Sequence, residues 1–339
     1  MGIAKTAGRI ANIAPGDCTP IFDHIAVWAA DTEASAHFLT DVMGWKRHPT
    51  VIRVSDEEKT TGGMIGTFFD APGLWIELIE PTTPGPGQDI LDALGDGALV
   101  EINFDLGNEY GKALGDLAQR GVEMLSMDGS PLKDGGTIDE GVFEGDEIQN
   151  PGQRIAYFPT ALTHGTTVEY YEVLSDDAGS LIHERDRVWK DESRSPAAPY
   201  IDHVAIVTDD AEKAATFFTT YMGLRRHPGA GQENGAKVIT LDANGADDTK
   251  LWLKLVEPAS DGRAQRLLEE RGPGHIMELG VYTDDIAGLT NRASERGIAL
   301  VDENGSSLCT GEWNKAYFRN EDSCGIPIAV LARPTAAAR

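Results

Sequence analysis

Residues Ile21–Pro49 read IFDHIAVWAADTEASAHFLTDVMGWKRHP, and Tyr200–Pro228 repeat the pattern as YIDHVAIVTDDAEKAATFFTTYMGLRRHP, at a constant offset of 179 positions. Further along, Leu74–Pro81 (LWIELIEP) is matched by Leu251–Pro258 (LWLKLVEP). An internal repeat of this kind indicates that two parts of a chain share one structural plan. The sequence therefore predicts two similar domains.

Each half divides further into two units with a strand, a helix and three strands, a βαβββ pattern. Phe22–Ala29 alternates as a strand does, and Asp31 or Thr32 is a suitable N-cap for a helix that Gly44 ends. The other predicted strands are Gly62–Phe69, Leu74–Glu80, Leu99–Leu106, Gln153–Phe158, Thr167–Val173, Ile276–Tyr282, Trp313–Arg319 and Ile326–Leu331, and the other helices are Tyr110–Arg120 and Asp285–Arg296. The predicted fold class is α+β, with four βαβββ modules paired into two domains.

The domain boundaries follow from where the repeat stops. We expect an N-terminal extension over residues 1–18, a first paired domain over 19–175 and a second paired domain over 198–334. The connector at 176–197 is rich in Asp, Arg, Ser and Pro, and a short helix is predicted around Leu181–Lys190.

Composition restricts the partners. The chain has 339 residues, and 55 acidic side chains against 29 Lys and Arg give a formal net charge of −26. This balance disfavours nucleic acid or an anionic membrane as the main partner, because both attract basic surfaces. The longest apolar run, Ile326–Ala332, has the length of a strand and not of a membrane helix. We expect a small-molecule substrate, no membrane association, and a monomer or homodimer.

Cysteine usage points to a reducing compartment. Cys18, Cys309 and Cys324 are odd in number and too scattered for a disulfide framework or a zinc ribbon. The first residues carry no apolar core of a secretion signal. A cytoplasmic location is therefore predicted.

These motifs resemble those of a known superfamily. DHIAV, a helix that ends in MGW, and the IELIEP strand resemble the vicinal oxygen chelate superfamily, which includes glyoxalase I, methylmalonyl-CoA epimerase, extradiol dioxygenases and bleomycin-binding proteins. RGPGHIMELGVYTDDI in the second half is similar to the epimerase branch, and the resemblance covers about Thr19–Pro334. It implies two open, curved sheets, each formed by two paired modules.

The resemblance also implies a metal site on the concave face of a sheet, with one ligand from the first and one from the fourth strand of each module. The positions that correspond in the first half are His24, Glu77, Glu101 and Glu169; those in the second half are His203, Lys254, Glu278 and Ala329. Strand alternation places each first-half candidate opposite a face rich in Ile, Leu and Val. We expect a metal in the first half only. In the second half we expect Lys254 to supply the positive charge beside Glu278 and His203, and the domain to serve as scaffold, dimer mimic or pocket wall.

One imidazole and three carboxylates suit a divalent cation such as Mn²⁺, Mg²⁺, Co²⁺, Ni²⁺, Fe²⁺ or Zn²⁺, and ligand type alone does not choose among them. Two open coordination positions would accept two adjacent substrate oxygens and stabilise an enediolate-type intermediate after a neighbouring C–H proton leaves. The predicted function is a metal-dependent isomerase, epimerase or lyase of the glyoxalase type.

A base is needed for this chemistry. The epimerase branch carries a Glu on the strand before IEL, whereas Met64–Phe69 here contains no carboxylate. Either Glu169 or Glu101 is then the candidate to detach and accept the proton, as the resemblance to glyoxalase I suggests. His164 is a weaker candidate that is better interpreted as a turn residue. Glu80, Glu172 and Glu257 are predicted to lie on the opposite face as solvated or capping residues.

Two other functions stay open. A ring-cleaving extradiol-type dioxygenase would use two His and one carboxylate around Fe²⁺, and Glu101 stands where the second His would be. A metal-free small-molecule binding or resistance protein would fit the altered second half but not the intact first half.

Overall fold

The computed structural model describes residues 20–54, 63–72, 74–126, 129–132, 137–139, 142–144, 153–173, 198–227, 231–233, 235–243, 251–259, 261–308 and 313–332. The predicted N-terminal extension, the connector with its helix around Leu181–Lys190, and the residues Cys18 and Cys309 lie outside these ranges. No helix in the described ranges is long and apolar enough to span a bilayer.

The first half contains nine strands and three α-helices within those ranges. In chain order they are β1 (Ile21–Trp28), α1 (Thr32–His37), β2 (Lys46–Val54), β3 (Met64–Ala71), β4 (Leu74–Pro81), α2 (Pro86–Leu94), β5 (Ala98–Asp105), α3 (Tyr110–Gln119), β6 (Thr137–Asp139), β7 (Val142–Glu144), β8 (Gln153–Tyr157) and β9 (Thr167–Val173).

The second half repeats this order with small differences. Its described elements are β10 (Tyr200–Val207), α4 (Ala211–Tyr221), β11 (Arg225–Arg226), β12 (Gly231–Glu233), β13 (Ala236–Asp242), β14 (Trp252–Glu257), α5 (Arg263–Arg271), β15 (Ile276–Tyr282), α6 (Ile286–Ser294), β16 (Leu300–Val301), β17 (Lys315–Phe318) and β18 (Ile328–Leu331).

Each half forms one open mixed sheet from two modules. In the first sheet the strand order is β6-β8-β9-β5-β1-β4-β3-β2-β7, and in the second it is β11-β13-β14-β10-β15-β18-β17-β16, with β12 paired to β13. The opening strands of paired modules run antiparallel at the centre, β1 with β5 and β10 with β15. Each has its own module's last strand as a parallel neighbour. The predicted α+β class and the pairing of four modules into two domains are confirmed.

The first helix begins where the sequence predicts. The Asp31 side chain accepts hydrogen bonds from the backbone N–H groups of Glu33 and Ala34, both at 3.0 Å, so Asp31 is the N-cap. The helix does not remain regular, because Phe38–Val42 forms a π-helical turn. Gly44 then adopts a φ of +74°, the left-handed conformation typical of a helix end.

The main hydrophobic core lies between the helices and one face of each sheet, and it is continuous between the two halves. Ile25, Ile76 and Ile102 on the first sheet are fully buried in it. Two aromatic pairs join the halves: the rings of Phe158 and Phe217 are 5.1 Å apart, and those of Phe38 and Phe318 are 5.2 Å apart. The two domains therefore share one core.

Two helices that the sequence analysis missed, α2 and α5, cover one end of the opposite sheet faces. Leu91 of α2 packs with Ala26, Trp28 and Ile79. In the second half, Leu267 and Leu268 of α5 pack with residues of β10, β13 and β14. Each helix has nine residues and starts after a glycine, so the segments look like loops in the sequence.

The domains also meet through two close backbone contacts at glycines. Gly274, with φ +90°, lies against Gly165, and Gly97, with φ +73°, lies against the backbone around Gly325. A Cβ on Gly274 would overlap the carbonyl carbon of Gly165 and the nitrogen of Thr166. Glycine is required at such positions because neither the space nor the conformation tolerates a side chain.

We expect Gly274→Ala to lower the free energy of unfolding by about 2–4 kcal/mol, since the new methyl group combines steric overlap with an unfavourable φ. Urea unfolding measures this change. Gly111→Ala is the control, because Gly111 lies inside α3 with nothing within 4 Å of its added Cβ, and we expect a gain of roughly 0.5–1 kcal/mol there. Equal stabilities of the two variants would contradict the close contact.

Candidate metal centre and its counterpart in the second domain

The four predicted ligands of the first half lie on one face of the four central strands. The register places Glu77 and Glu101 on either side of Ala26, and it places His24 and Glu169 on either side of Asn103. Residues that pair across strands, and residues two apart along a strand, point to the same face. We call this face of the first sheet the site face.

His24 is held between two carboxylates. Its Nε2 is 3.4 Å from Glu77 Oε2, and its Nδ1 is 3.0 Å from Asp23 Oδ2. The His24 side chain is only 12% exposed. Burial lowers the pKa of His24, but the hydrogen bond and charge of Glu77, together with the charges of Glu169 and Glu101, outweigh burial and raise the pKa above its usual value. One ring nitrogen is therefore oriented by Asp23 while the other faces the site.

The remaining two carboxyl groups resist ionisation; Glu169 is buried and Glu101 is half-buried. Burial, and then the charge of Glu77, raise the pKa of Glu101 to about 7. Burial and the charge of Glu101 raise the pKa of Glu169 well above its usual range, although a hydrogen bond from Tyr157 acts in the opposite direction. The cluster therefore concentrates more negative charge than its buried surroundings stabilise, and a bound cation would relieve this.

Several neighbours of these groups were missed by the sequence analysis. The Asn103 amide is fully buried and lies near enough to Glu101 to lower the pKa of that carboxyl, yet neither amide atom has a hydrogen bond of normal geometry among the described residues. Burial raises the pKa of Asp105 to about 6. Asn103 and Asp105 follow Glu101 at intervals of two residues, and this strand periodicity could have identified them from the sequence. Tyr157 could not have been identified in this way, because only the pairing of β8 with β9 places it opposite Glu169.

Aromatic rings line the same face around the imidazole. The ring centroid of His24 is 5.4 Å from that of Tyr171 and 6.0 Å from that of Phe68. Tyr171 is buried and Phe68 is half-buried. Trp75, which pairs with His24 across the strands, packs against His48 at 5.6 Å. The charged cluster therefore lies in surroundings of low polarity.

Whether these residues can hold a metal depends on the chemistry of their donor atoms and on how closely the side chains approach one another. Within the described ranges, no three His, Cys, Asp or Glu side chains come together tightly enough to enclose an ion. The donor types nevertheless suit a divalent cation, and the Cα atoms of Glu77 and Glu101, two strands apart, are separated by roughly 9–10 Å, a distance that two glutamate side chains span around one ion. We conclude that the residues fit such a group when the side chains close toward one another.

The glutamates predicted to act as caps do so. Glu80 Oε2 accepts hydrogen bonds from the Thr32 N–H at 2.9 Å and the Thr32 hydroxyl at 2.7 Å, at the start of α1. Glu257 accepts from the Ala211 N–H at 3.0 Å at the start of α4. Equivalent glutamates thus tie equivalent helices to the sheets, and the prediction that they are caps is confirmed.

The weaker candidate His164, and the polar residues Glu172 and Arg47, lie apart from the cluster. His164 has φ +56° in the turn before Gly165, at the junction with the second domain. Glu172 points to the opposite face of β9, and its Oε2 is 3.5 Å from Arg154 Nη1. Arg47 forms a two-bond ion pair with Glu33 at 2.7 and 2.8 Å. These contacts are structural.

In the second domain, the prediction that Lys254 supplies the positive charge for Glu278 is wrong. Lys254 and Glu278 flank Ala205 on one face of the sheet, but the Lys254 ammonium pairs with Glu233 at 3.1 Å. Lys315 of β17 supplies the charge instead, with its Nζ 2.6 Å from Glu278 Oε1. Strands β14 and β17 each lie two strands from β15, on opposite sides, so a sequence pattern does not show which lysine reaches Glu278.

The His203 ring of the second domain is oriented toward β15, whereas the His24 ring of the first domain is oriented toward β4. His203 Nε2 is 3.1 Å from Glu278 Oε1, and its Nδ1 is 2.8 Å from Asp202. A Cβ on Gly280 would overlap the His203 ring, whereas the equivalent position beside His24 is Asn103. The ring therefore occupies space that the first domain fills with an amide. Although burial opposes it, the hydrogen bond of His203 and the charge of Lys315 hold the pKa of Glu278 well below its usual range.

Comparisons with known proteins agree with this architecture. The family model described as Glyoxalase/Bleomycin resistance protein/Dioxygenase superfamily matches residues 21–129 and 200–330. A mutant 4-hydroxymandelate synthase from Streptomyces coelicolor is 14% identical, with 95% of each chain covered and a TM-score of 0.59. A Mn(II)-bound glyoxalase from Novosphingobium aromaticivorans is 13% identical over 93% of this chain and 82% of that chain, with a TM-score of 0.52. No curated protein sequence matches the chain. The structural similarities concern the fold alone.

We expect Lys315→Met to lower the free energy of unfolding by roughly 2–4 kcal/mol at pH 7, because it leaves the Glu278 charge buried without its ammonium partner. The folded-state pKa of Glu278 is lowered, so its contribution is complete above the ordinary value of 4.5 and is lost as the pH falls below it. The difference between wild type and variant should therefore shrink below about pH 4.5.

Denaturant unfolding across this pH range provides the measurement. Lys213→Met is the control, because that ammonium lies in solvent beside Asp210, and little change is expected. A pH-independent difference for Lys315→Met would contradict the role of Glu278.

Proposed function

Because the chain belongs to the Glyoxalase/Bleomycin resistance protein/Dioxygenase superfamily, we propose that it is a metal-dependent isomerase, epimerase or lyase whose substrate carries two vicinal oxygens. Members of this superfamily are mostly metal-dependent enzymes that act on small molecules. The proposal places the site in the first domain, over residues 19–175, with residues 198–334 as a second domain without a catalytic metal. The free thiol of Cys324 fits a cytoplasmic location.

The observation that carries the proposal is the placement of four metal-ligating side chains on the site face. His24, Glu77, Glu101 and Glu169 come from β1, β4, β5 and β9; burial and neighbouring carboxylate charges raise the pKa values of Glu101 and Glu169, and the glutamates raise that of His24. These residues would hold a divalent cation. When bound, such a cation polarises a carbonyl oxygen and stabilises the negative charge that develops when a proton leaves the neighbouring carbon.

Proton transfer falls to the carboxyl groups of Glu101 on β5 and Glu169 on β9. Glu101 is one candidate to accept and return the proton; its pKa of about 7 belongs to the site without a cation, and a bound cation would lower it. Glu169 is the alternative, since Tyr157 hydrogen-bonds its carboxyl group and fixes its orientation. Residues Met64–Phe69 of β3, the strand on the other side of β4, contain no carboxylate.

The surroundings of the donors favour a small, uncharged substrate. Phe68 and Tyr171 flank His24, and helix α2 covers one end of the site face through Leu91. Apolar walls exclude water and strengthen electrostatic interactions with a bound substrate.

Two alternatives are less well supported. A ring-cleaving dioxygenase would require a second imidazole, and Glu101 occupies the corresponding position on β5. A metal-free binding protein would not need three carboxyl groups on one largely buried face, where their mutual repulsion is unfavourable.

Metal content tests the proposal directly. We expect protein purified without chelator to contain a divalent metal in stoichiometric amount, and we expect Glu77→Gln to lose most of it because one ligand charge is removed. Elemental analysis by mass spectrometry gives both the amount and the identity. Lys254→Gln is the matched control at the equivalent position of the second domain, and it should retain the metal. A metal-free wild type would refute the proposal.

Hydrogen exchange at carbon tests the reaction type. We expect the wild type to catalyse deuterium incorporation from solvent next to the carbonyl group in a panel of small hydroxycarbonyl compounds, measured by NMR. Glu101→Gln should reduce the rate by at least about a hundredfold, the usual contribution of a general base, while Lys254→Gln should match the wild type. Oxygen consumption with catechols, without such exchange, would instead favour the dioxygenase.

A further inference from the structure

Two cations of the second domain converge on one tyrosine ring. Arg263 at the start of α5 places its guanidinium carbon 4.9 Å from the centroid of Tyr317, and Lys315 of β17 places its ammonium 5.3 Å from the same centroid. The equivalent positions in the first domain are Pro86, at the start of α2, and Ile155, on β8. The pair of cations is therefore specific to the second domain.

The charge of Arg263 has no acidic partner among the described residues. Its contacts among these residues are a hydrogen bond from Nη2 to the Met277 carbonyl at 3.2 Å and the face of Tyr317. Lys315, by contrast, is already paired with Glu278. Arg263, Lys315 and Glu278 together leave one positive charge, although acidic residues outnumber basic ones by 55 to 29 in the chain. A half-buried guanidinium in this position is suited to bind a planar carboxylate through two hydrogen bonds.

Glu278, which pairs with Lys315, also has a carboxylate oxygen that accepts no hydrogen bond among the described residues. Glu278 is 2% exposed, and its Oε1 receives both His203 and Lys315, but its buried Oε2 has no hydrogen-bond partner among the described residues. Buried carboxylate oxygens are normally satisfied, because leaving one unpaired costs free energy. A ligand hydroxyl that donates to Oε2 would satisfy it.

We propose that the second domain binds a small monocarboxylate with a hydroxyl group on the neighbouring carbon, its carboxylate between Arg263 and Lys315 and its hydroxyl at Glu278. A single negative charge balances the excess positive charge of the three residues, whereas a phosphate dianion would exceed it. The domain that lacks the metal ligands thereby acquires a ligand site of opposite charge. This site is independent of the metal proposed for the first domain.

The test is isothermal titration calorimetry with three probes: glycolate, acetate and inorganic phosphate. The full-length chain is first treated with chelator and dialysed, so that no metal in the first domain can hold a probe. We expect glycolate to bind once per chain and about tenfold more tightly than acetate, which corresponds to ~1.4 kcal/mol for the hydrogen bond to Glu278. Phosphate should bind more weakly than glycolate.

Arg263→Gln should weaken glycolate binding at least about tenfold, and Arg263→Lys should give an intermediate loss because it keeps the charge but not the planar fork. Arg266→Gln is the matched control, since Arg266 is exposed one turn later on α5, and it should bind like the wild type. Thermal unfolding verifies that the variants are folded. Absence of glycolate binding, equal losses in Arg263→Gln and Arg266→Gln, equal affinity for acetate, or a preference for phosphate would overturn the proposal.

Discussion

The antiparallel pairing of β1 with β5 is the constraint on which the first domain depends. Its register sets Ala26 opposite Glu101 and His24 opposite Asn103, and the parallel neighbours β4 and β9 bring in Glu77 and Glu169 at the same level. A slip of one residue would turn every one of these side chains into the apolar core. The buried Ile and Val residues of the opposite face therefore fix the position of the polar cluster.

The two domains have the same fold but compensate the negative charge of their site carboxylates in different ways. In the first, burial and mutual repulsion raise the pKa values of Glu101 and Glu169, so the cluster needs a cation from outside. In the second, Lys315 supplies a cation from the chain itself and Glu278 stays ionised. The Asp next to each histidine is unchanged, since Asp23 and Asp202 make the same contact.

The sequence predicted what local chemistry determines. The repeat predicted the paired modules, strand alternation predicted the face of Glu77, and Asp31 was a correct N-cap. It did not predict α2 and α5, because a nine-residue helix between glycines has little periodicity to detect. It also assigned to Lys254 the part that Lys315 plays, because both lysines lie on strands two away from β15 and only the tertiary structure shows which ammonium reaches Glu278.

Contacts at the junction between the domains make the geometry of the first-domain site depend on the second domain. Gly165, which contacts Gly274, lies four residues before Glu169 and at the end of the turn that leads into β9. The position of β9 relative to β5 therefore depends on contacts made by the other half of the chain. Gly97 has the corresponding place before β5, where it lies against the backbone near Gly325. The strands that carry Glu101 and Glu169 are thus both entered through backbone contacts with the second domain, so that domain supports the geometry of a site to which it contributes no ligand.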